Sequence, residues 1–154
     1  MTERGNTMIE PAAIEDLQEI LQLQYLAYQT EAALFGTQDI PPLKQTLDEV
    51  IAECKSGIIL KLTENGRIIG SVRAREQDGT VYIGKLMVHP DYRRRGYGSA
   101  LLSAIEQQFP GRRYELFTST RSDDNLRLYR KAGYTEFARR AVSGELVFVY
   151  MEKR

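Results

Sequence analysis

The sequence predicts an α/β domain of the mixed (α+β) kind, with a central sheet of about seven strands flanked by four helices. Three observations point to it. Apolar residues recur at helical spacing over 13–54 and then switch to short strand-like runs from 57 onward. Asn65-Gly66, Asp78-Gly79 and Ser143-Gly144 each separate two such runs, as hairpin turns do. Between the second and third hairpins a helical segment joins two strand-like runs, which a right-handed crossover makes parallel. The sheet is therefore antiparallel at both ends with one parallel crossover in the middle.

The elements follow in order. "TMIEPA" (7–12) reads as a short strand ended by Pro11. From Ala13 to about Ala33 a helix carries Leu17, Leu21, Gln24 and Tyr28 on one stripe, with Ile20, Leu23 and Ala27 beside it. "FGTQDIPP" (35–42) is a loop, and Pro42 suits the first turn of a second helix. Its apolar face is Leu43, Leu47, Val50, Ile51 and Cys54, and Gly57 reads as its C-terminal cap. Strands follow at 57–63, 67–76 and 80–89. A third helix runs from about Gly96 to Gln108, with Gly98, Leu101, Leu102, Ile105 and Phe109 on its apolar face. "RYELFTS" (113–119) is the next strand. A short helix over 122–133 starts at a Ser122 or Asp123 cap and stops at Gly133. Strands at 134–142 and 145–151 close the chain.

At 154 residues the chain suits one domain, 1–154, with the polar residues 1–6 as a loose arm. Lys plus Arg and Asp plus Glu both number 21, so the net charge is zero, which argues against a nucleic-acid partner. A neutral background also makes Arg93-Arg94-Arg95 more informative. The lone cysteine, Cys54, permits no internal disulfide and suits a reducing compartment; on an apolar helix face it reads as a small buried hydrophobe. No apolar run approaches the roughly 20 residues of a membrane span, and "MTERGNT" lacks a signal-peptide core, so the expected location is cytoplasmic with no membrane partner. No His, Cys, Asp and Glu cluster has metal-ligand spacing, so no metal is expected.

The chemistry concentrates at the crossover. A helix starting at a strand's end presents unpaired N–H groups and a positive dipole end, which together bind anions, most often phosphate. The run Arg93-x-x-Gly96-x-Gly98 adds charge and removes side chains where a ligand would approach, so it reads as a pyrophosphate cradle. Leu101 stands where a dinucleotide fingerprint needs a small residue, and no Gly-Lys-Ser/Thr is present for a P-loop.

"LMVHPDYRRRGYGSALL" resembles the acetyl-CoA signature of the GCN5-related N-acetyltransferases (GNAT). "NLRLYRKAGY" resembles a second feature of that family. The two lie in the family's order and on its elements, and the strand order matches over nearly the whole chain. The resemblance implies acetyl-CoA as co-substrate and direct transfer of acetyl to a primary amine in a ternary complex. It implies a strand ending at Val88 that splays from its parallel neighbour, so that backbone at Leu86, Met87 and Val88 pairs with the pantetheine arm. One of those N–H groups would act as the oxyanion hole. Arg93, Arg94, Arg95, Gly96, Tyr97, Gly98 and Ser99 would hold the pyrophosphate, the arginines mostly through charge and backbone. Asn125 would help fix the pantetheine or the second helix, and Tyr129 would protonate the departing thiolate.

The general base is the open point. Some family members carry a glutamate on the signature strand, but "VYIGKLMV" has none. Glu31 is the first candidate; Glu76, Tyr82 and a water chain are alternatives. Tyr25, Tyr28 and Phe35 surround the first loop and are candidates for an acceptor pocket. His89 precedes Pro90 in a turn, with no nucleophile to serve. The expected acceptor is a small-molecule amine. A protein or peptide amine and a non-catalytic CoA-binding module remain as alternatives. Family members are often homodimers, and "ELVFVYM" is a candidate for pairing across such an interface.

Overall fold

The computed structural model describes residues 7–144 and 146–154, so the proposed loose arm at 1–6 lies outside the described residues. The strands are β1 (Thr7–Pro11), β2 (Ile58–Glu64), β3 (Arg67–Gln77), β4 (Thr80–Val88), β5 (Arg113–Ser119), β6 (Thr135–Ser143) and β7 (Leu146–Lys153). The helices are α1 (Leu17–Ala27), α2 (Gln29–Phe35), α3 (Pro41–Lys44), α4 (Leu47–Ser56), α5 (Tyr97–Gln107) and α6 (Asp123–Lys131). The strands form one sheet in the order β1-β2-β3-β4-β5-β7-β6. Every neighbouring pair is antiparallel except β4 and β5.

Two apolar layers sandwich this sheet. On one face Leu101, Leu102 and Ile105 of α5 and Leu126 and Tyr129 of α6 pack against Leu60, Val72, Val81, Ile83 and Leu116. On the other, Leu17, Ile20 and Leu21 of α1 and Val50 of α4 pack against Ile59, Ile68 and Met87. Burial on both faces sets the strand registers, because a slip of one residue would turn every apolar side chain to the wrong layer. Both two-residue turns at 65–66 and 78–79 have positive φ throughout, the backbone twist a tight hairpin needs.

Four expected helices are six among the described residues. The first breaks at Tyr28 (φ −81°, ψ 0°). There the Ala27 carbonyl accepts instead from Arg93 Nη2 at 3.0 Å, a partner 66 residues away. The second divides at Gln45, which is extended, and α4 restarts at Thr46. Thr46 Oγ1 accepts from the Glu49 amide while the Glu49 carboxylate accepts from the Thr46 amide, a reciprocal cap that defines a stronger helix start than Pro42. Gly57 is not a left-handed cap: its φ is −155°. A Cβ there would lie 2.2 Å from the Ala74 carbonyl oxygen, so glycine permits β2 to leave α4 against β3. Ser122 stands at the start of α6 but makes no capping bond with its side chain.

The strand at 145–151 was a candidate for pairing between subunits. As β7 it is hydrogen-bonded on both sides, between β5 and β6, and has no free edge. The free edge on that side of the sheet is β6, exposed along its whole length.

Candidate active site

The parallel pair that opens the site is short. β4 meets β5 only from Thr80 to Tyr82, against Arg113 to Glu115. Past that point β4 stays with β3 and β5 stays with β7, so the two strands diverge. Leu86, Met87 and Val88 lie along the resulting gap, in a cleft of about 860 Å³. A bulge shapes this lip. Register shifts between Ser71 and Arg73 of β3, and Lys85 on β4 adopts φ +51°. Such a bulge re-aims the side chains around it.

The arginine-glycine loop closes one end of the cleft. Arg94 (φ +65°) and Gly96 (φ +83°) are left-handed, and α5 begins at Tyr97. The first amides of α5 have no partner within the helix and open on the cleft wall formed by Gly96, Tyr97, Gly98 and Ser99. No atom lies within 4 Å of where a Gly96 Cβ would stand, so it is the positive φ that calls for glycine there. Gly98 has a packing reason: its Cβ would meet Leu128 at 3.3 Å, where α5 crosses α6.

The three arginines have different roles. Arg93 is a clamp: its Nη1 donates to Thr30 Oγ1 (2.6 Å), its Nη2 to the Ala27 carbonyl (3.0 Å) and its Nε to the Val88 carbonyl (3.3 Å). It ties the α1–α2 corner to the end of β4, a structural part beyond the charge and backbone expected of it. Arg95 lies over the Tyr92 ring at 5.1 Å, and Arg94 is exposed on the cleft.

At the opposite wall the structure brings Glu31 and Asn125 together. Ser122 Oγ lies 2.9 Å from each Glu31 carboxylate oxygen, and Asn125 Nδ2 donates to Oε1 at 3.3 Å and to Thr118 Oγ1 at 3.2 Å. Burial raises the Glu31 carboxyl above the usual range, opposed by the Ser122 hydrogen bond and the Arg93 charge. Ser122 was missed among the candidates, although its place three residues before Asn125 on the same turn was a usable signal. Tyr129 stands behind this wall, 6% exposed, with its ring 6.2 Å from Tyr134. Burial raises its hydroxyl far above the tyrosine range, with the charges of Tyr28 and Glu31 adding to the shift. Tyr28 lines the cleft and is raised by the same cause. Neither phenol has a hydrogen bond among the described residues, so both are free to serve another group.

The remaining candidates are engaged elsewhere. Glu76 pairs with Arg112, and the Tyr82 ring carries Arg75 at 4.6 Å. Tyr25 donates to the Gln45 carbonyl at 2.5 Å, and Arg121 lies over Phe35 at 5.9 Å. His89 is buried in the turn, with Nδ1 accepting from the Asp91 amide at 3.1 Å. Cys54 packs half-buried against the α1–α4 layer. Among the described residues no acidic, histidine and cysteine cluster could hold a metal, and no helix is long and apolar enough to cross a membrane.

Together these features fit a coenzyme A thioester. An extended polar arm can add to β4 where β5 departs, and a diphosphate can sit on the bare amides of α5. The comparisons agree. The sequence model of the Acetyltransferase (GNAT) family matches residues 14–134. The chain is 29% identical over 134 residues to the UPF0157 protein YqkA of Bacillus subtilis, a match covering 86% of this chain and 38% of that one. It is 30% identical over 131 residues to a mycothiol acetyltransferase of Nocardiopsis dassonvillei, covering 83% and 39%. The chain thus spans about two-fifths of the length of these relatives. PaiA N-acetyltransferase of Thermoplasma acidophilum, solved with coenzyme A, has the same fold at TM-score 0.80 and 17% identity, covering 97% of this chain and 99% of that one. The chain belongs to the GNAT family of acetyltransferases.

Proposed function

We propose that this protein is an N-acetyltransferase that passes the acetyl group of acetyl-CoA directly to the primary amine of a small molecule. The observation that carries the proposal is the Glu31 carboxylate, held by Ser122 and Asn125 beside the gap where β4 leaves β5. In this reading the amides of residues 94–99 bind the diphosphate, Leu86, Met87 and Val88 pair with the pantetheine arm, and a main-chain N–H on that lip polarises the thioester carbonyl. Bound acetyl-CoA supplies the electrophilic acetyl carbon. The acceptor nitrogen bonds to that carbon and the C–S bond breaks. The nitrogen's proton passes to Glu31, and the sulfur takes a proton from Tyr129.

Glu31 suits its part because burial makes it a stronger base than a solvated carboxylate. Tyr129 suits its part because it keeps its proton across any working pH. A small acceptor is favoured because α2 is tied across the site. Arg121 Nη1 donates to the Leu34 carbonyl at 3.1 Å and Ser122 holds Glu31, which leaves little room for an extended peptide. An assembly of two copies would use the exposed edge strand β6.

One observation favours a CoA-binding module without chemistry: Tyr129 is packed in the core and absent from the cleft surface. Thiol release from acetyl-CoA across an amine panel decides between the two readings. Turnover with an amine supports the enzyme. Binding of CoA by calorimetry with no turnover of any amine overturns it.

A further inference from the structure

The face of the sheet opposite α5 and α6 carries features the mechanism has not used. On β4 and β3 this face presents Met87, Lys85, Gly84 and Arg73. Met87 packs with α1, Arg73 is paired in register with Gly84, and Glu53 of α4 and Arg73 both act electrostatically on Lys85. On β5 and β7 the same face presents Phe117, Phe148 and Tyr150, because Tyr114 and Leu116 turn to the α5 side.

The first side is rich in cationic donors. Arg73 is 5% exposed. It gives Nη1 to Gln45 (2.9 Å) and Glu53 (2.8 Å) and Nη2 to Gln24 (2.6 Å), while its buried Nε has no partner among the described residues. The Lys85 amine makes no hydrogen bond or ion pair among the described residues. Burial lowers its pKa, Arg73 lowers it further, and Glu53 opposes both. Glu53 is already shared with Arg73 and Gln45, so two cations face one committed carboxylate. Charge withdrawn from water without full compensation is costly.

The other side is aromatic. Phe117 lies 4.8 Å from Phe148 and 5.3 Å from Tyr150, and Phe117 is 49% exposed. Exposed aromatics of this kind mark binding surfaces. Beside Lys85 on β4, Gly84 leaves open space: an added Cβ there would meet nothing within 4 Å. The carboxylates that β5 and β7 present on this face, Glu115 and Glu152, both pair with Arg113.

We propose that this face receives the acceptor, and that the acceptor is an α-amino acid with a large apolar side chain. Its carboxylate meets Lys85 beside Arg73, and its side chain lies against Phe117 and Tyr150 across the gap at Gly84. Nearby cations also favour the acceptor amine in its neutral, nucleophilic form. The inference rests on the proposed N-acetyl transfer and names its substrate class.

Phenylalanine, phenethylamine and spermidine form the test, with thiol release as readout. Phenylalanine is expected to exceed phenethylamine in kcat/KM by about tenfold or more, the worth of a hydrogen bond to a charged group. In Lys85→Met the advantage should disappear through KM, while CoA affinity, which reports the fold, is unchanged. Calorimetry in the presence of CoA should show N-acetylphenylalanine binding more tightly than N-acetylphenethylamine, and Lys85→Met should equalise them. Equal or better use of phenethylamine or spermidine overturns the inference, as does a preference that survives Lys85→Met. If no amine is consumed, the proposed transferase activity falls, and the two acetylated products still decide whether Lys85 receives a carboxylate.

Discussion

Ser122 Oγ stands 2.9 Å from both oxygens of the Glu31 carboxylate, joining residues 91 positions apart across the mouth of the cleft. The hydroxyl belongs to the start of α6, where it would ordinarily cap the helix, and it is turned to the carboxylate instead. This bond opposes the burial that raises Glu31.

The pH dependence follows from that balance. If Glu31 is the base, turnover needs its ionised form, so activity falls on the acid side as Glu31 protonates. Removing Ser122 removes an interaction that favours the ionised form, so Ser122→Ala should move the acid limb of the pH–rate profile to higher pH. Glu31→Gln should lower kcat on the order of 100-fold and abolish that limb. An unmoved limb in Ser122→Ala would remove Glu31 from the mechanism.

Tyr129→Phe should lower kcat on the order of 100-fold while CoA affinity stays within about twofold. Stability should hardly change, because the lost hydroxyl has no hydrogen bond to lose among the described residues. Titration calorimetry and urea unfolding check the two expectations. Unchanged turnover would leave Tyr129 as core packing against Tyr134.

Arg93→Ala breaks the bonds that join α1, Thr30 and β4. We expect a loss of about 1–2 kcal/mol in urea unfolding, and weaker CoA binding as the corner at Tyr28 loosens. Arg94→Ala, which removes no bond of this kind among the described residues, should leave stability unchanged to within about 0.5 kcal/mol.

Gly57→Ala sets a methyl group against backbone. The Cβ position lies 2.2 Å from the Ala74 carbonyl oxygen and 3.2 Å from the Arg75 Cα, and neither can turn aside as a side chain would. Thermal unfolding should show a loss of about 2–3 kcal/mol, in the range of overpacked sites.

Much of the sheet was legible because its signals are local. Asn65-Gly66 and Asp78-Gly79 each hold their turn through two neighbouring dihedrals, and the change of apolar spacing after Gly57 is carried by consecutive residues. The glycine-opened α5 was visible for the same reason, since a cradle of backbone amides needs only a strand, a turn and a helix start. Gly57 itself was misread, because its constraint comes from Ala74 on another strand and not from its own φ. The Thr46–Glu49 cap was local and readable, but the proline at 42 masked it.

By itself the sequence determined the succession of strands, the tight turns at 65–66 and 78–79, the glycine-opened start of α5 and, through two motifs, the family. Each of these rests on spacing within about ten residues, where chain geometry alone fixes which groups meet. Only the tertiary structure decided that Ser122 holds Glu31, that Arg93 takes the Ala27 carbonyl where the first helix ends, that β7 lies inside the sheet, and that Arg73 shares a sheet face with Phe117. Those relationships join residues tens of positions apart, and they arise from packing two layers of helices on one sheet, where many pairings of similar energy are open to the sequence and burial selects among them.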